Sequence, residues 1–159
     1  MNLKLFLNLL LIFSVTVVHS KPLQGFDKSI FYKVIASGNI EETDKQLSMV
    51  SASLLPEKEA FEGVLLMRKA GMVAKAKDKL SLFKSGRLKL ESAISKDNNN
   101  TEYRFLRLLI QEHAPKIVKY RNKLEEDSQH IRTNFENLSS VLQKVILDYC
   151  KKSTVLKIP

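Results

Sequence analysis

Cysteine is almost absent from this chain. Cys150 is the only one among 159 residues, so no disulfide can form within the chain. Small exported domains that depend on disulfides carry an even set of cysteines. A domain of this length must therefore be stabilised by the packing of its hydrophobic core. Cys150 itself is interpreted as a half-buried apolar residue, with a free thiol or an intermolecular disulfide as the alternatives.

Glycine and proline are scarce as well, with five Gly and four Pro. The strict alternation of apolar and polar residues that is typical of strands is missing, and almost every segment follows a period near 3.6 residues. The sequence therefore predicts an all-α fold of six or seven helices.

The motifs of several enzyme classes are missing too. The chain has no Gly-x-Ser-x-Gly elbow, no His-Glu-x-x-His pair and no glycine-rich phosphate loop. We expect a protein that is not an enzyme, with no cofactor and no metal. A weaker hypothesis, a hydrolase or metal enzyme, would use Glu112, His113, Asp127 and His130. Asp127 and His130 share one helical face, where they would bind a metal weakly or form a salt link.

The first twenty residues have the pattern of a secretory signal peptide. Lys4 precedes an apolar run over 5–18, and residues 18–20 form a cleavage-like site. This run is shorter than the roughly 20 residues that a membrane-spanning helix needs. We predict an exported protein, periplasmic or secreted, with one domain over 21–152. An uncleaved anchor is the alternative, and nucleic acid is not expected as a partner in this compartment.

Capping residues and apolar stripes predict where the first helices lie. Asp27 is the expected N-cap of a helix that ends at Gly38, and Asn39 with Glu42 is expected to cap the next one, which ends by Pro56. A third helix follows. Its small residues Gly63 and Gly71 would allow a neighbouring helix to approach closely, or Gly71 would instead break the helix. A fourth helix over 79–96 is expected to bury a further set of side chains, although Gly86 weakens its continuity. That set comprises Leu80, Phe83, Leu90, Ala93 and Ile94.

The segment 101–113 is predicted to be a buried helix, capped by Thr101 and ended before Pro115, because apolar residues cover most of its circumference. Beyond it, heptad-like spacing from Leu124 to Tyr149 predicts a long C-terminal helix, or two helices that break near 137–140. A homodimer through this seam is one expectation. Residues 153–159 are expected to form a flexible tail.

Positive charge is concentrated in one region. The formal net charge is +9, and residues 68–89 carry eight Lys or Arg against Asp78 alone. Such a region favours contact with anionic lipid, an acidic glycan or an acidic protein. A solvated surface that serves solubility is the alternative. The candidate contact residues are Lys75, Lys77, Lys79, Lys84 and Arg87.

Arg104, Arg107 and Gln111 form a narrow polar stripe on the otherwise apolar helix over 101–113. Two guanidiniums on a buried helix require carboxylates or a bound anion. One interpretation is an internal ion-pair network with Glu102, Glu112 and the acidic run 125–127. Another is a groove in which the stripe binds an acidic segment of a partner through bidentate contacts. Exposure of the stripe to solvent is a further alternative.

Two segments resemble tetratricopeptide repeats. Residues 38–42, followed by Leu47, are similar to the turn between the two helices of a repeat. Residues 82–99 are similar to a second repeat helix and its exit turn, with Ala93 at the small-residue position and Asn98 where Pro is usual. The resemblance implies stacked antiparallel helical hairpins over 27–112 with a groove for a protein partner. The separation of the two turns departs from the regular period of roughly 34 residues.

A second resemblance is carried by residues 102–107, Ile110, Gln111, Pro115, Lys116, Tyr120 and 124–127. Through them the chain as a whole resembles small exported helical proteins of the Bacteroidetes group of bacteria. This resemblance implies a fold and a compartment but no activity. The leading hypothesis is therefore a non-enzymatic exported binding or scaffold domain that engages a protein partner. The alternative is a binder of an anionic membrane surface or envelope polymer through residues 68–89.

Overall fold

A computed structural model describes residues 26–158, and these residues form seven α-helices and two short 3₁₀ turns, without strands. The all-α prediction is therefore confirmed. The predicted signal peptide, residues 1–20, lies outside the described residues. The helices are α1 (Lys28–Ser37), α2 (Ile40–Ala52), α3 (Lys58–Ala70), α4 (Ala76–Lys96), α5 (Thr101–His113), α6 (Leu124–Asn134) and α7 (Ser140–Cys150), with 3₁₀ turns at Lys116–Val118 and Phe135–Asn137.

The caps of α1 and α2 follow the local sequence. The Asp27 carboxylate accepts hydrogen bonds from backbone N–H groups in the first turn of α1, and Gly38 ends that helix with φ of 69°. The Asn39 side chain accepts from the Glu42 N–H at 3.0 Å. These predictions are confirmed. The Glu42 carboxylate, however, accepts from the Ser37 hydroxyl at 3.1 Å, so this carboxylate anchors the preceding helix end.

Consecutive helices pack as antiparallel hairpins. Lys69 near the end of α3 pairs with Asp44 near the start of α2 at 2.5 Å. Glu59 near the start of α3 pairs with Lys96 at the end of α4, also at 2.5 Å. Each pair joins opposite ends of its two helices, which makes both hairpins antiparallel. Helix α3 lies at the centre and contacts α1, α2, α4 and α5.

Two glycines allow α3 and α4 to cross at close range. A Cβ on Gly63 would lie 2.7 Å from the Gly86 carbonyl oxygen, and a Cβ on Gly86 would lie 2.5 Å from the Gly63 carbonyl oxygen. Helix α4 is continuous through Gly86, which is therefore a packing residue. Gly71 ends α3, so of the two predictions for this residue the helix break is confirmed and the shared packing role with Gly63 is wrong. Leu80 is half exposed (50%), so the prediction that it is buried is wrong.

Helix α5 occupies the interior, as predicted. All residues from 101 to 112 are buried. Its N-cap is Asn100, whose side chain accepts from the Tyr103 N–H at 3.2 Å, and not Thr101. Thr101 is the first helical residue, and its hydroxyl lies 3.1 Å from Nε2 of His130 on α6.

The C-terminal region breaks where the alternative prediction placed the break. Helix α6 ends at Asn134, and α7 begins after Ser139, whose side chain accepts from the Leu142 N–H. The prediction of a long C-terminal helix is wrong. Seam residues such as Ile131 and Leu142 pack into the core of the same chain, which explains the heptad-like spacing. A homodimer stays a prediction.

The segment after α7 is packed, so the prediction of a flexible tail is wrong for residues 153–158. Leu156 is fully buried and Ser153 is 3% exposed. The Ser153 hydroxyl accepts from the Leu156 N–H at 2.8 Å. The Ser153 hydroxyl also donates to Glu112 at the end of α5, which holds the segment against that helix.

Replacement of Gly86 by Ala tests the helix crossing. Helix propensity alone would stabilise the variant by about 1 kcal/mol. We expect destabilisation by about 1–3 kcal/mol instead, because the added methyl would meet the α3 backbone. Urea unfolding followed by circular dichroism measures the difference. Ser85→Ala, on the exposed neighbouring position, is the matched control. A Gly86→Ala variant at least as stable as the wild type would contradict the crossing.

Candidate functional site

The Arg104, Arg107 and Gln111 stripe lies inside the protein. The three residues are 6%, 4% and 0% exposed. The prediction that they line a groove for an acidic partner is therefore wrong, because their side chains do not reach the surface. The internal-network interpretation fits their position.

Asp127 is the centre of that network. It is 0% exposed and accepts from Arg107 through Nε and Nη2, both at 2.7 Å, and from Arg104 Nη1 at 3.2 Å. The Glu91 carboxylate accepts from Arg107 Nη1 at 2.9 Å and from the Tyr120 hydroxyl at 2.5 Å. Burial opposes the charge of Arg107, but the interactions with Asp127 and Glu91 together raise its pKa. The network joins α4, α5 and α6.

Gln111 extends the polar interior toward the start of α6. Its Oε1 atom accepts from the Lys123 N–H at 3.1 Å. Its Nε2 atom is buried and has no hydrogen-bond partner among residues 26–158. Gln111 therefore positions the loop that precedes α6.

Glu112, one of the candidate acid–base residues, is an anchor for the C-terminal segment. Its carboxylate accepts from the Tyr149 hydroxyl at 2.6 Å, the Ser153 hydroxyl at 2.7 Å, and the Thr154 N–H and hydroxyl at 2.6 and 2.9 Å. Burial opposes its ionisation, but these donors together lower the pKa of Glu112 to about 2. A carboxylate held in this way is a poor general base.

The other acid–base candidates have separate contacts. His113 is exposed, and its Nε2 lies 3.5 Å from the Tyr149 hydroxyl. His130 contacts Thr101, while Asp127 binds the two arginines. The geometry therefore does not bring these groups to one reacting point. In the described part of the chain, no three His, Cys, Asp or Glu residues converge in a way that could hold a metal ion.

The predicted basic residues are exposed, and three of them line a cleft. Lys75, Lys77, Lys79, Lys84 and Arg87 all lie at the surface. Lys79, Lys84 and Arg87 border a cleft of about 800 Å³ between α3, α4, the end of α5 and the turn at 116–118. We call it the basic cleft. Its lining comprises Met67, Arg68, Ala70, Gly71, Ala76, Lys79, Leu80, Phe83, Lys84, Arg87, Leu109, Ile110, His113, Ala114, Pro115, Ile117 and Val118.

No acidic residue lines the basic cleft. Elsewhere on α3 and α4, cations have carboxylate partners, as Lys69 has in Asp44 and Lys89 in Glu62. Among the described residues, the cleft's own cations form no ion pair with a carboxylate. The cleft therefore presents positive charge that the described residues leave uncompensated.

Arg68 and Arg87 contribute guanidiniums from α3 and α4. The Nε atom of Arg68 is buried and has no hydrogen-bond partner within residues 26–158. Burial lowers the pKa of this guanidinium, so a nearby anion would stabilise its charged form. Arg87 lies over the ring of Tyr120, with 4.7 Å between its Cζ atom and the ring centroid, a cation–π geometry. Tyr120 is in turn held by Glu91.

Apolar side chains flank the opening of the cleft. Leu80 is 50% exposed and Ile117 is 88% exposed, although both are large apolar residues. The sequence identified the cations of this region but not the cleft, because its opposite wall comes from the end of α5 and the turn after Pro115. In the sequence, the one available signal was an apolar residue, Ile117, two positions after a helix-breaking proline.

Comparison with models of protein families, with curated proteins and with solved structures finds no significant match to this chain. No helix among residues 26–158 combines the length and the apolar character that crossing a membrane requires.

Replacement of Asp127 by Asn tests the internal network. The variant keeps the shape of the side chain but leaves two buried guanidiniums without their shared counter-charge. We expect a loss of about 3–5 kcal/mol in the free energy of unfolding, measured by chemical denaturation at neutral pH. Asp148→Asn, which removes the exposed partner of Lys151, is the control and should leave stability almost unchanged, because solvent screens an exposed pair. Similar small losses in both variants would contradict the network.

The Glu112 anchor predicts a pH dependence. The pKa of Glu112 falls from an ordinary 4.5 to about 2 on folding, so the folded state favours the ionised form. This contributes about 3 kcal/mol of stability, present above about pH 5 and lost as the pH falls toward 2. Glu112→Gln should be less stable than the wild type at neutral pH and decline less between pH 5 and 2. Glu136→Gln, at an exposed position, should keep the wild-type slope. Equal slopes in all three proteins would contradict the anchor.

Proposed function

We propose that this protein is a non-enzymatic, exported binding protein that takes an anionic ligand in the basic cleft. One observation carries the proposal: a cleft of about 800 Å³ is lined by apolar residues and several cations, with no acidic residue. Ligand sites in proteins have this size and this mixture of apolar walls with a few polar groups. The basic cleft, and not the Arg104 and Arg107 stripe, is the proposed binding site, because the stripe is internal.

Export and periplasmic or secreted location remain part of the proposal. They are supported by the signal-peptide pattern of residues 1–20 and by the resemblance to exported helical proteins. A likeness to tetratricopeptide repeats is supported by the antiparallel hairpins that α2, α3 and α4 form. A protein partner with an acidic segment is one ligand that such a cleft would accept.

A second candidate function is attachment to an anionic membrane surface or envelope polymer. Lys75 and Lys77 are exposed at the start of α4, and Leu80 of the same helix and Ile117 of the turn at 116–118 are exposed apolar residues. Cations next to exposed apolar side chains favour the surface of an anionic bilayer. This function would use the outside of the same region without requiring the interior of the cleft.

Charge reversal at the cleft tests the proposed function. The variant Lys79→Glu with Lys84→Glu should bind the anionic dye anilinonaphthalene sulfonate at least about fivefold more weakly than the wild type, measured by fluorescence titration. The neutral apolar dye Nile red should bind both proteins alike. Lys33→Glu with Lys144→Glu makes the same charge change at exposed positions outside the cleft.

The outcomes separate the candidates. Equal loss of dye binding in the cleft variant and in the control variant would overturn the cleft as the site. Wild-type binding to vesicles that contain anionic lipid, lost as salt rises, together with dye binding that is unchanged in the cleft variant, would support the membrane-surface function instead.

A further inference from the structure

We propose that the ligand of the basic cleft is a single-chain amphiphile, with an apolar chain along the cleft wall and a carboxylate or phosphate head group at Arg68. This inference rests on the proposed function and names the class of ligand. Three features of the cleft carry it: its size, the composition of its wall and the position of its guanidiniums.

Size favours a small molecule over a protein segment. The cleft measures about 800 Å³, within the range of roughly 300–1,000 Å³ typical of small-molecule sites. A stable protein interface covers about 800 Å² on each partner, contributed by about 20–30 residues. The lining of the cleft comes from two short helix segments and one turn beside α4, which is a smaller patch than that.

The wall is suited to an alkyl chain. Phe83, Leu109 and Ile110 are buried and border the cleft from α4 and α5, and Met67 borders it from α3. Methionine is unbranched and adapts its shape to a flexible chain. Each methylene that leaves water for such a wall strengthens binding by about fourfold.

The head group has a defined anchor. Arg68 Nε is buried without a hydrogen-bond partner among the described residues, and an unmatched buried donor is unfavourable. A guanidinium binds carboxylates and phosphates through parallel hydrogen bonds. Arg87 adds a second guanidinium whose position is restrained by Tyr120, and Lys84 adds a mobile charge at the rim. A neutral head group would leave Arg68 unmatched.

The opening is suited to the entry of such a ligand. Leu80 and Ile117 are exposed at the mouth, where they would contact the chain of an amphiphile as it leaves an apolar phase. Their exposure has no role in the packing of the helices. A ligand that covers the mouth or passes through it would explain why Leu80 and Ile117 are exposed.

Calorimetric titration of residues 21–159 tests the inference. The three probes have equal chain length and are each kept below the concentration at which micelles form: dodecanoate, dodecyl phosphate and dodecanol. We expect at least one of the two anions to bind about tenfold or more tightly than dodecanol. The preferred anion distinguishes a fatty-acid-like source from a phospholipid-like source. Equal affinity for all three probes would overturn the role of the guanidiniums.

Two variants locate the ligand. Ala76→Trp places a bulky side chain at an exposed position in the cleft lining and should weaken binding of the preferred anion about tenfold, whereas Ala74→Trp, exposed but outside the lining, should not. Arg68→Met should reduce the preference for the anion over dodecanol at least about fivefold while leaving dodecanol binding unchanged. That loss of discrimination would not follow from a purely structural role of Arg68.

The results also separate this inference from the proposed function. If anilinonaphthalene sulfonate binds in a charge-sensitive way but is displaced by neither anion, the binding function holds and the amphiphile is wrong. Displacement of the dye by a Leu- and Glu-rich helical peptide, and by neither amphiphile, would identify a protein partner. If neither the dye nor the amphiphiles respond to substitutions in the cleft, both proposals fail.

Discussion

The buried contact between Asp127 and the two guanidiniums of Arg104 and Arg107 is the constraint on which the rest of the structure depends. It brings three charges into the interior, where each is favourable only in the presence of the others. The contact fixes α6 against α5, and through Glu91 it also fixes α4. The network supplies hydrogen-bond partners for the buried polar side chains of α5. The other faces of that helix can therefore pack into the apolar core.

The packing of α3, α4 and α5 also forms the walls of the basic cleft. Helix α3 approaches α4 closely at Gly63 and Gly86, and the end of α3 and the part of α4 between Ala76 and Arg87 line the cleft. The end of α5 and the turn after Pro115 border the space between them. Arg104 and Arg107 are paired with Asp127 in the interior, whereas Arg68 and Arg87 line the basic cleft and have no carboxylate partner among the described residues. The paired and the unpaired guanidiniums therefore belong to different residues.

Prediction from the sequence succeeded where the deciding interaction is local. The caps at Asp27 and Asn39 join atoms a few residues apart, so the pattern contains the whole interaction. It was incomplete where the partner is distant along the chain: the acidic run 125–127 was only one of several interpretations for the arginines of α5, and the helix that approaches Gly63 was not identified. The partner of Gly63 is 23 positions away at Gly86, and the donors to Glu112 lie 37 to 42 positions away. The helical period of the sequence indicated a polar stripe on α5. Whether that stripe is exposed to solvent depends on how α6 packs against it.

The Glu112 anchor also determines when during synthesis the protein can finish folding. A chain made from its N-terminus acquires the α1–α4 hairpins first, and α5 emerges before Asp127, Tyr149 and Thr154 exist. Until α6, α7 and the segment after α7 have been synthesised, the buried helix α5 carries ionised side chains without their partners. Packing around α5 is thereby deferred until Thr154 has been added to the chain.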